Sequence, residues 1–187
     1  MERSIDWYAK VKRGAIPEEL AKKARKELDE DAEWETHTFW NKVEQRYVSF
    51  DNELECSFSE IDSYAALTQC VRDTIDWYHA ELEFPWYSTW QAFSNIRFNR
   101  YSGGATMKGH CDHIHTLFDG EQKGIPILSV VGHLNEDYEG GEFVMWDTDT
   151  IELKAGDILV FPSVFLYPHY VAPVTSGVRN SFVSWVW

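Results

Sequence analysis

Apolar and polar positions follow two different periods along this chain, and the change from one to the other comes near Pro85. Leu20, Ala24 and Leu28 recur at i, i+4 and i+8 behind Pro17, a residue suited to a first helical position, with Glu, Lys and Arg between them. This predicts a short amphipathic helix whose charge run is a solvated face. From Trp34 to Phe58 the pattern is irregular, and strand pairs or a packed loop both fit. Ser57 and Glu60 have capping-box spacing. Ile61, Ala65, Thr68, Val71, Ile75, Tyr78 and Leu82 then keep a helical period, predicting a long helix that ends before Pro85. His79 on it reads as a surface or packing residue.

Beyond Pro85 the runs are short and strand-like, broken by Gly, Pro and Asp turns, at 91–101, 126–134, 141–146, 149–153, 157–162, 169–174 and 177–187. Many short strands after two helices predict an α+β protein with a jelly roll or barrel packed on the helices. The expectation is one domain over 1–187, with a helical support region at 1–90 and the strand core at 91–187.

Alternate residues on a strand share a face. One side of 177–187 then carries Arg179, Ser181, Val183 and Trp185, and one side of 126–134 carries Ile127, Ser129, Val131 and His133. On 95–101, Asn95, Arg97, Asn99 and Tyr101 lie opposite Ile96 and Phe98. These polar groups either line an internal pocket or form the wet side of the sheet.

The chain has 187 residues, enough to bury about 70% of its unfolded surface in one core. Three cysteines (Cys56, Cys70, Cys111) make no disulfide framework and suit a reducing compartment. With no long apolar run and no signal-like start, the expectation is a cytoplasmic protein without a membrane partner. The net charge of −14 argues against a nucleic-acid partner, which would call for a basic footprint. It favours a Lys/Arg-rich target by steering, although solubility alone also accounts for it.

The candidate chemistry lies in Tyr101-Ser-Gly-Gly-Ala-Thr-Met-Lys-Gly-His110-Cys-Asp112. In extended chain His110 and Asp112 point the same way, and a distant His, with His169 the candidate, would complete a 2-His-1-carboxylate triad suited to non-heme Fe(II). Cys111, between them, points away and reads as packing. His113 is a poor ligand beside Asp112, and His115 belongs to the segment 113–125, whose glycines at 120 and 124 suggest a mobile lid.

Three further stretches lie in order behind this one: Leu134-Asn-Glu-Asp-Tyr-Glu-Gly-Gly-Glu-Phe143, Lys154-Ala-Gly-Asp-Ile-Leu-Val-Phe-Pro162 and His169-Tyr-Val-Ala-Pro-Val-Thr-Ser-Gly-Val-Arg179-Asn-Ser181. Together the four resemble the prolyl 4-hydroxylase-like 2-oxoglutarate/Fe(II) oxygenases, and the small bacterial PKHD-type hydroxylases above all. The likeness runs over residues 92–187. It implies a double-stranded β-helix, a jelly-roll core with supporting N-terminal helices. It implies that His110, Asp112 and His169 bind Fe(II) and that Arg179 holds the distal carboxylate of 2-oxoglutarate, with Tyr101 and Ser181 near the same end. His133 stands where relatives place a Tyr, and either contacts the cosubstrate or supports residues that do. Trp185 corresponds to an aromatic that walls the substrate pocket, and Arg97 is the one obvious second clamp for a small acidic substrate.

The implied reaction is hydroxylation of a substrate C–H with release of succinate and CO2, with ascorbate as reductant. The implied partner is a prolyl residue in a peptide or protein. The motifs address iron and cosubstrate only, so a free amino acid or another small metabolite is the runner-up substrate. A nucleobase fits the acidic charge least. A non-catalytic jelly-roll binding module would keep the ligands but have no use for the carboxylate clamp.

Overall fold

The change of period at Pro85 divides a helix-bearing first half from an almost wholly stranded second half in the computed structural model. It describes residues 4–187 other than 42, 86, 88 and 113–124. After a 3-10 turn (Ile5–Tyr8) come β1 (Lys10–Lys12), α1 (Glu18–Glu30), β2 (Glu35–Thr36), β3 (Phe39–Asn41), β4 (Arg46–Val48), β5 (Glu55–Ser57) and α2 (Tyr64–Leu82). The second half supplies β6 (Arg97–Ser102), β7 (Met107–His110), β8 (Leu128–His133), β9 (Tyr138–Gly140), β10 (Phe143–Met145), β11 (Asp149–Ile151), β12 (Ile158–Pro162), β13 (His169–Val171) and β14 (Val174–Val186).

The major sheet runs β1-β12-β8-β14-β6-β5-β2, with β9 paired to the start of β14. A minor sheet runs β11-β10-β13-β7, and β3 and β4 form a separate hairpin. All of these strand pairs are antiparallel. This is the expected α+β double-stranded β-helix. The region 1–90 is more than helical support, however, because it adds β1, β2 and β5 to the major sheet. Those strands are two or three residues long, too short for alternation to reveal them.

Strand alternation builds the two cores. Phe98, Leu128, Val130, Ile158, Val160 and Phe182 point from the major sheet onto α1 and α2. The residues between them, including Tyr101, Val131, Leu159, Phe161 and Val183, meet Phe143, Met145 and Val171 of the minor sheet. Helix α1 buries Ala21, Ala24 and Leu28, with Leu20 only partly buried, so its apolar stripe is turned one residue from the predicted one. Pro17 is the N-cap rather than a helical residue. The predicted capping box does not form: Ser57 ends β5, and α2 begins at Tyr64 behind Ser63. Ser57 instead donates its hydroxyl to Ser59. Ala65 is exposed and Leu67 takes the buried position in that first turn.

The Lys154–Asp157 turn shows why its residues are what they are. Gly156 has φ +90°, and a Cβ there would meet the Ile16 carbonyl oxygen at 2.6 Å. Buried Asp157 accepts hydrogen bonds from the Gly14 and Lys154 amides and from Arg13, tying the β1–α1 connection to β12. No helix among the described residues is long and apolar enough to cross a membrane.

Candidate metal and cosubstrate site

The pocket between the two sheets is built by register. His110 on β7 and His169 on β13 are direct cross-strand partners, which brings residues distant in the chain side by side. Their ring centroids lie 4.4 Å apart. Asp112 follows β7 and turns its carboxylate to the same point. One ligand atom from each of His110, Asp112 and His169 lies within 4.8 Å of the others.

The hydrogen bonds around these three side chains leave the right atoms free. His110 Nδ1 is 2.8 Å from the Lys108 carbonyl oxygen, and His169 Nδ1 is 3.0 Å from that of Tyr167. A carbonyl can only accept, so each Nδ1 carries the proton and each Nε2 keeps its lone pair for a ligand. Both Nε2 atoms face Asp112 Oδ1, at 3.3 and 3.8 Å. His169 is stacked on Phe143 with ring centroids 5.2 Å apart, which fixes its plane.

Charge follows the geometry. Burial opposes an ionised Asp112, but His110, His169 and Ser129 more than offset it and hold its carboxyl well below the usual carboxylate range. Burial depresses His169, whereas for His110 the adjoining carboxylate outweighs burial and the net direction is upward. An anionic oxygen and an imidazole lone pair at the convergence point are what a divalent cation requires. The donor set fits Fe(II).

Arg179 forms the other end of the pocket. It is 1% exposed, the largest fully buried side chain described. Its register partner Tyr101 lies under the guanidinium, 4.9 Å from ring centroid to Cζ. Nη1 donates to Ser181 Oγ at 2.8 Å, and Nε has no hydrogen-bond partner. Among the described residues no carboxylate pairs with it. A buried cation left this way is costly unless an anion meets it, so the residues fit a carboxylate-bearing cosubstrate. Ser181 accepts from Arg179 and still has its own proton to donate. Gly140 and Gly141 have φ +73° and +68°, and a Cβ on Gly141 would lie 3.0 Å from Arg179 Cδ, so the tight turn also leaves room for the arginine stem.

Tyr101, Arg97, Ser181 and Trp185 line the pocket with the three ligands. His133 does not. It lines an adjoining cavity of about 220 Å³ that shares Arg179 with the pocket. His133 Nε2 is 2.8 Å from the Tyr138 hydroxyl, Nδ1 has no partner, and burial followed by the Arg179 charge hold the ring neutral. Arg97 lies over the Trp185 ring, 5.2 Å to its centroid, with Nε bonded to Asn99. Cys111 turns away to the Phe165 carbonyl, as the alternation predicts. His113, His115 and the glycines at 120 and 124 lie outside the described residues. Sequence reasoning placed Ser129 on the inward face without giving it a role. Here its hydroxyl donates to Asp112 Oδ2 at 2.6 Å, and Trp185 Nε1 donates to the same oxygen at 3.0 Å.

A jelly roll that presents two histidines and one carboxylate at one end of a pocket and a buried arginine at the other has the layout of a cosubstrate-dependent mononuclear metal enzyme. Comparison with known proteins agrees. Residues 96–187 match the model of the 2OG-Fe(II) oxygenase superfamily. A PKHD-type hydroxylase of Stenotrophomonas maltophilia is 42% identical over 95 residues, which are 48% of this chain and 41% of that protein. One from Shewanella oneidensis is 42% identical over 94 residues, again 48% and 41%. The match therefore spans about two-fifths of the length of these curated relatives. Among solved structures, a Trichoplax adhaerens prolyl hydroxylase in complex with a hypoxia inducible factor peptide fragment gives a TM-score of 0.73 at 16% identity, covering 96% of this chain and 83% of that one. A Pseudomonas putida prolyl-4-hydroxylase gives 0.61 at 18%, covering 96% and 91%. At these identities the structural likeness is one of fold. The likeness to the 2OG-Fe(II) oxygenase superfamily rests on residues 96–187, just under half of the chain.

Proposed function

We propose that this protein is a 2-oxoglutarate- and Fe(II)-dependent dioxygenase that hydroxylates a prolyl residue in a peptide or protein. One observation carries the reading: a pocket holds three converging ligand atoms and, at its other end, a buried guanidinium with no carboxylate partner among the described residues. His110, Asp112 and His169 would hold the metal, and Arg179, Ser181 and Tyr101 the distal carboxylate of the cosubstrate. Bound together, metal and cosubstrate supply oxygen activation, with 2-oxoglutarate, O2 and a substrate C–H becoming succinate, CO2 and an alcohol.

The protein's own part is orientation and exclusion. The two Nδ1–H groups are anchored to backbone, so neither imidazole can rotate out of position. Arg179 and Ser181 give the cosubstrate a fixed direction along β14, and Met107, Val131, Phe143 and Val171 keep the middle of the pocket apolar. His133, neutral and bonded to Tyr138, supports Arg179 from the adjoining cavity. Trp185 offers a flat wall for a pyrrolidine ring. The prolyl assignment is supported by the relatives named PKHD-type hydroxylases and by fold neighbours that are prolyl hydroxylases, one of them with a bound peptide.

The test is to incubate protein, Fe(II) and 2-oxoglutarate with Pro-containing peptides, including Lys/Arg-rich ones, and with free proline. Succinate would be measured beside mass spectrometry for one added oxygen atom. The expected result is peptide-stimulated succinate and an oxidised peptide. Hydroxylation of free proline alone would transfer the reading to a small-metabolite enzyme, where Arg97, in the pocket wall and without a carboxylate partner among the described residues, would take the substrate carboxylate. No succinate from any mixture would leave a binding module. Ascorbate is the reductant the family resemblance implies, and turnover indifferent to its omission would remove it from the scheme.

A further inference from the structure

The two oxygens of Asp112 are not equivalent. Oδ1 faces His110 Nε2 and His169 Nε2. Oδ2 is turned away from them and accepts from both Ser129 Oγ, at 2.6 Å, and Trp185 Nε1, at 3.0 Å. Ser129 and Trp185 are cross-strand partners on β8 and β14, so the sheet itself sets the two donors next to each other. Ser129 is fully buried and 2.6 Å from Ser163 Oγ, itself 1% exposed. A serine has one hydroxyl proton. Since Ser129 spends its own on the carboxylate, Ser163 must be the donor in the second bond, and the chain Ser163→Ser129→Asp112 has a single direction. Indole N–H is a donor only, so Trp185 cannot reverse its bond either.

We propose that Ser129 and Trp185 are positioning residues that occupy Oδ2 and thereby restrict Asp112 to one metal-ligating oxygen. The inference rests on the metal triad proposed above. Its consequence lies in coordination number. A carboxylate free to rotate can chelate a cation through both oxygens, as it does in many oxygen-rich sites. Two fixed donors on Oδ2 hold that oxygen out, and the position it would have taken stays available to the cosubstrate. Metal affinity and cosubstrate affinity are thus expected to separate when the donors are removed. A loss of general integrity would lower both.

The experiment uses Co(II), whose visible absorption reports coordination number, together with Fe(II)-supported succinate formation. In Ser129→Ala and in Trp185→Phe, which keeps the aromatic wall but lacks the N–H, Co(II) affinity should stay within about threefold of wild type, while the 2-oxoglutarate KM rises or kcat falls by about 10- to 100-fold. The cosubstrate-induced change in the Co(II) spectrum should shrink in parallel. Ser129→Thr, which restores a hydroxyl, should recover most of the loss. Ser163→Ala, which removes the donor behind Ser129 without touching Asp112, should move the same quantities the same way by less. Variants that lose Co(II) affinity in step with activity, or that change neither, would overturn the proposal. An Asp112→Ala protein that binds Co(II) as well as wild type would fail the triad itself, a result distinguishable from the others because it leaves Ser129 untouched.

Discussion

Replacing Arg179 by Met should stabilise or leave unchanged the ligand-free protein while removing its response to 2-oxoglutarate. The guanidinium is 1% exposed, is bonded through Nη1 to Ser181, and has an orphan Nε. A buried charge without a counter-charge is a burden to the fold, and an apolar residue of similar length removes it. The melting temperature without ligand should therefore match or exceed that of wild type. The cosubstrate reverses the sign. For wild type with an inert metal, anaerobically and at 100 times Kd, binding stabilises by about 2.7 kcal/mol. That corresponds to a rise of about 5–11 °C for a chain of this size. Losing one partner of a buried charge pair costs ~2–5 kcal/mol, or about 30- to 5,000-fold in affinity. At the same ligand concentration the shift should then fall to about 3 °C or less. Arg179→Lys should lie between, since an ammonium cannot reproduce the two-pronged contact. Scanning fluorimetry with and without 2-oxoglutarate reads both halves. A full ligand shift in Arg179→Met would refute the clamp, and a ligand-free melting point well below wild type would refute the argument about uncompensated charge.

Asp112→Ala should abolish succinate formation while leaving the far-UV circular dichroism spectrum unchanged, because the side chain is anchored in the pocket and not in either apolar core. Gly132→Ala should destabilise by ~1–3 kcal/mol, since the new Cβ would lie 2.1 Å from Phe182 Cζ, and the double variant with Phe182→Leu should recover part of that in urea titration. The pKa of His37 is pushed down to about 4, chiefly by burial and then by the Arg97 and His110 charges. The unfolded chain thus takes up a proton at this residue near pH 6.5 that the folded one refuses until about pH 4, and stability at this site is lost as pH falls through that window. His37→Gln should flatten this part of the stability profile, and an unchanged slope would remove His37 as its source.

Much of the site was legible from alternation alone. Arg97, Asn99 and Tyr101 on β6, and Arg179, Ser181 and Trp185 on β14, all occupy the inward rows that the two-residue period assigns to them. The cross-strand pairing of His110 with His169 was not legible, because register is set by partners dozens of residues apart and local pattern carries no trace of it. Nor was the bond from the Trp185 indole to Asp112, for which sequence offered only an aromatic wall. His133 is the exception: its row is inward as predicted, yet at the end of β8, opposite Ser181, it faces a different cavity. The helix starts were misplaced for a related reason. Ser57 is a serine at capping spacing, but its backbone is taken up by pairing with Phe98 in the sheet.

Strand β14 also bears on how such a protein can diversify. Thirteen residues long, it carries Arg179 and Trp185 in one inward row six residues apart, about 20 Å of extended chain. In the proposed site it acts as a ruler between cosubstrate and metal. Inserting or deleting a single residue between them would turn one of the two onto the helices, because the row changes sides with every step. Evolution can therefore lengthen or shorten little inside this strand without dismantling the catalytic layout. Novelty in substrate choice has to come from point substitutions along the row, or from the connections outside it, where a change of length shifts no register.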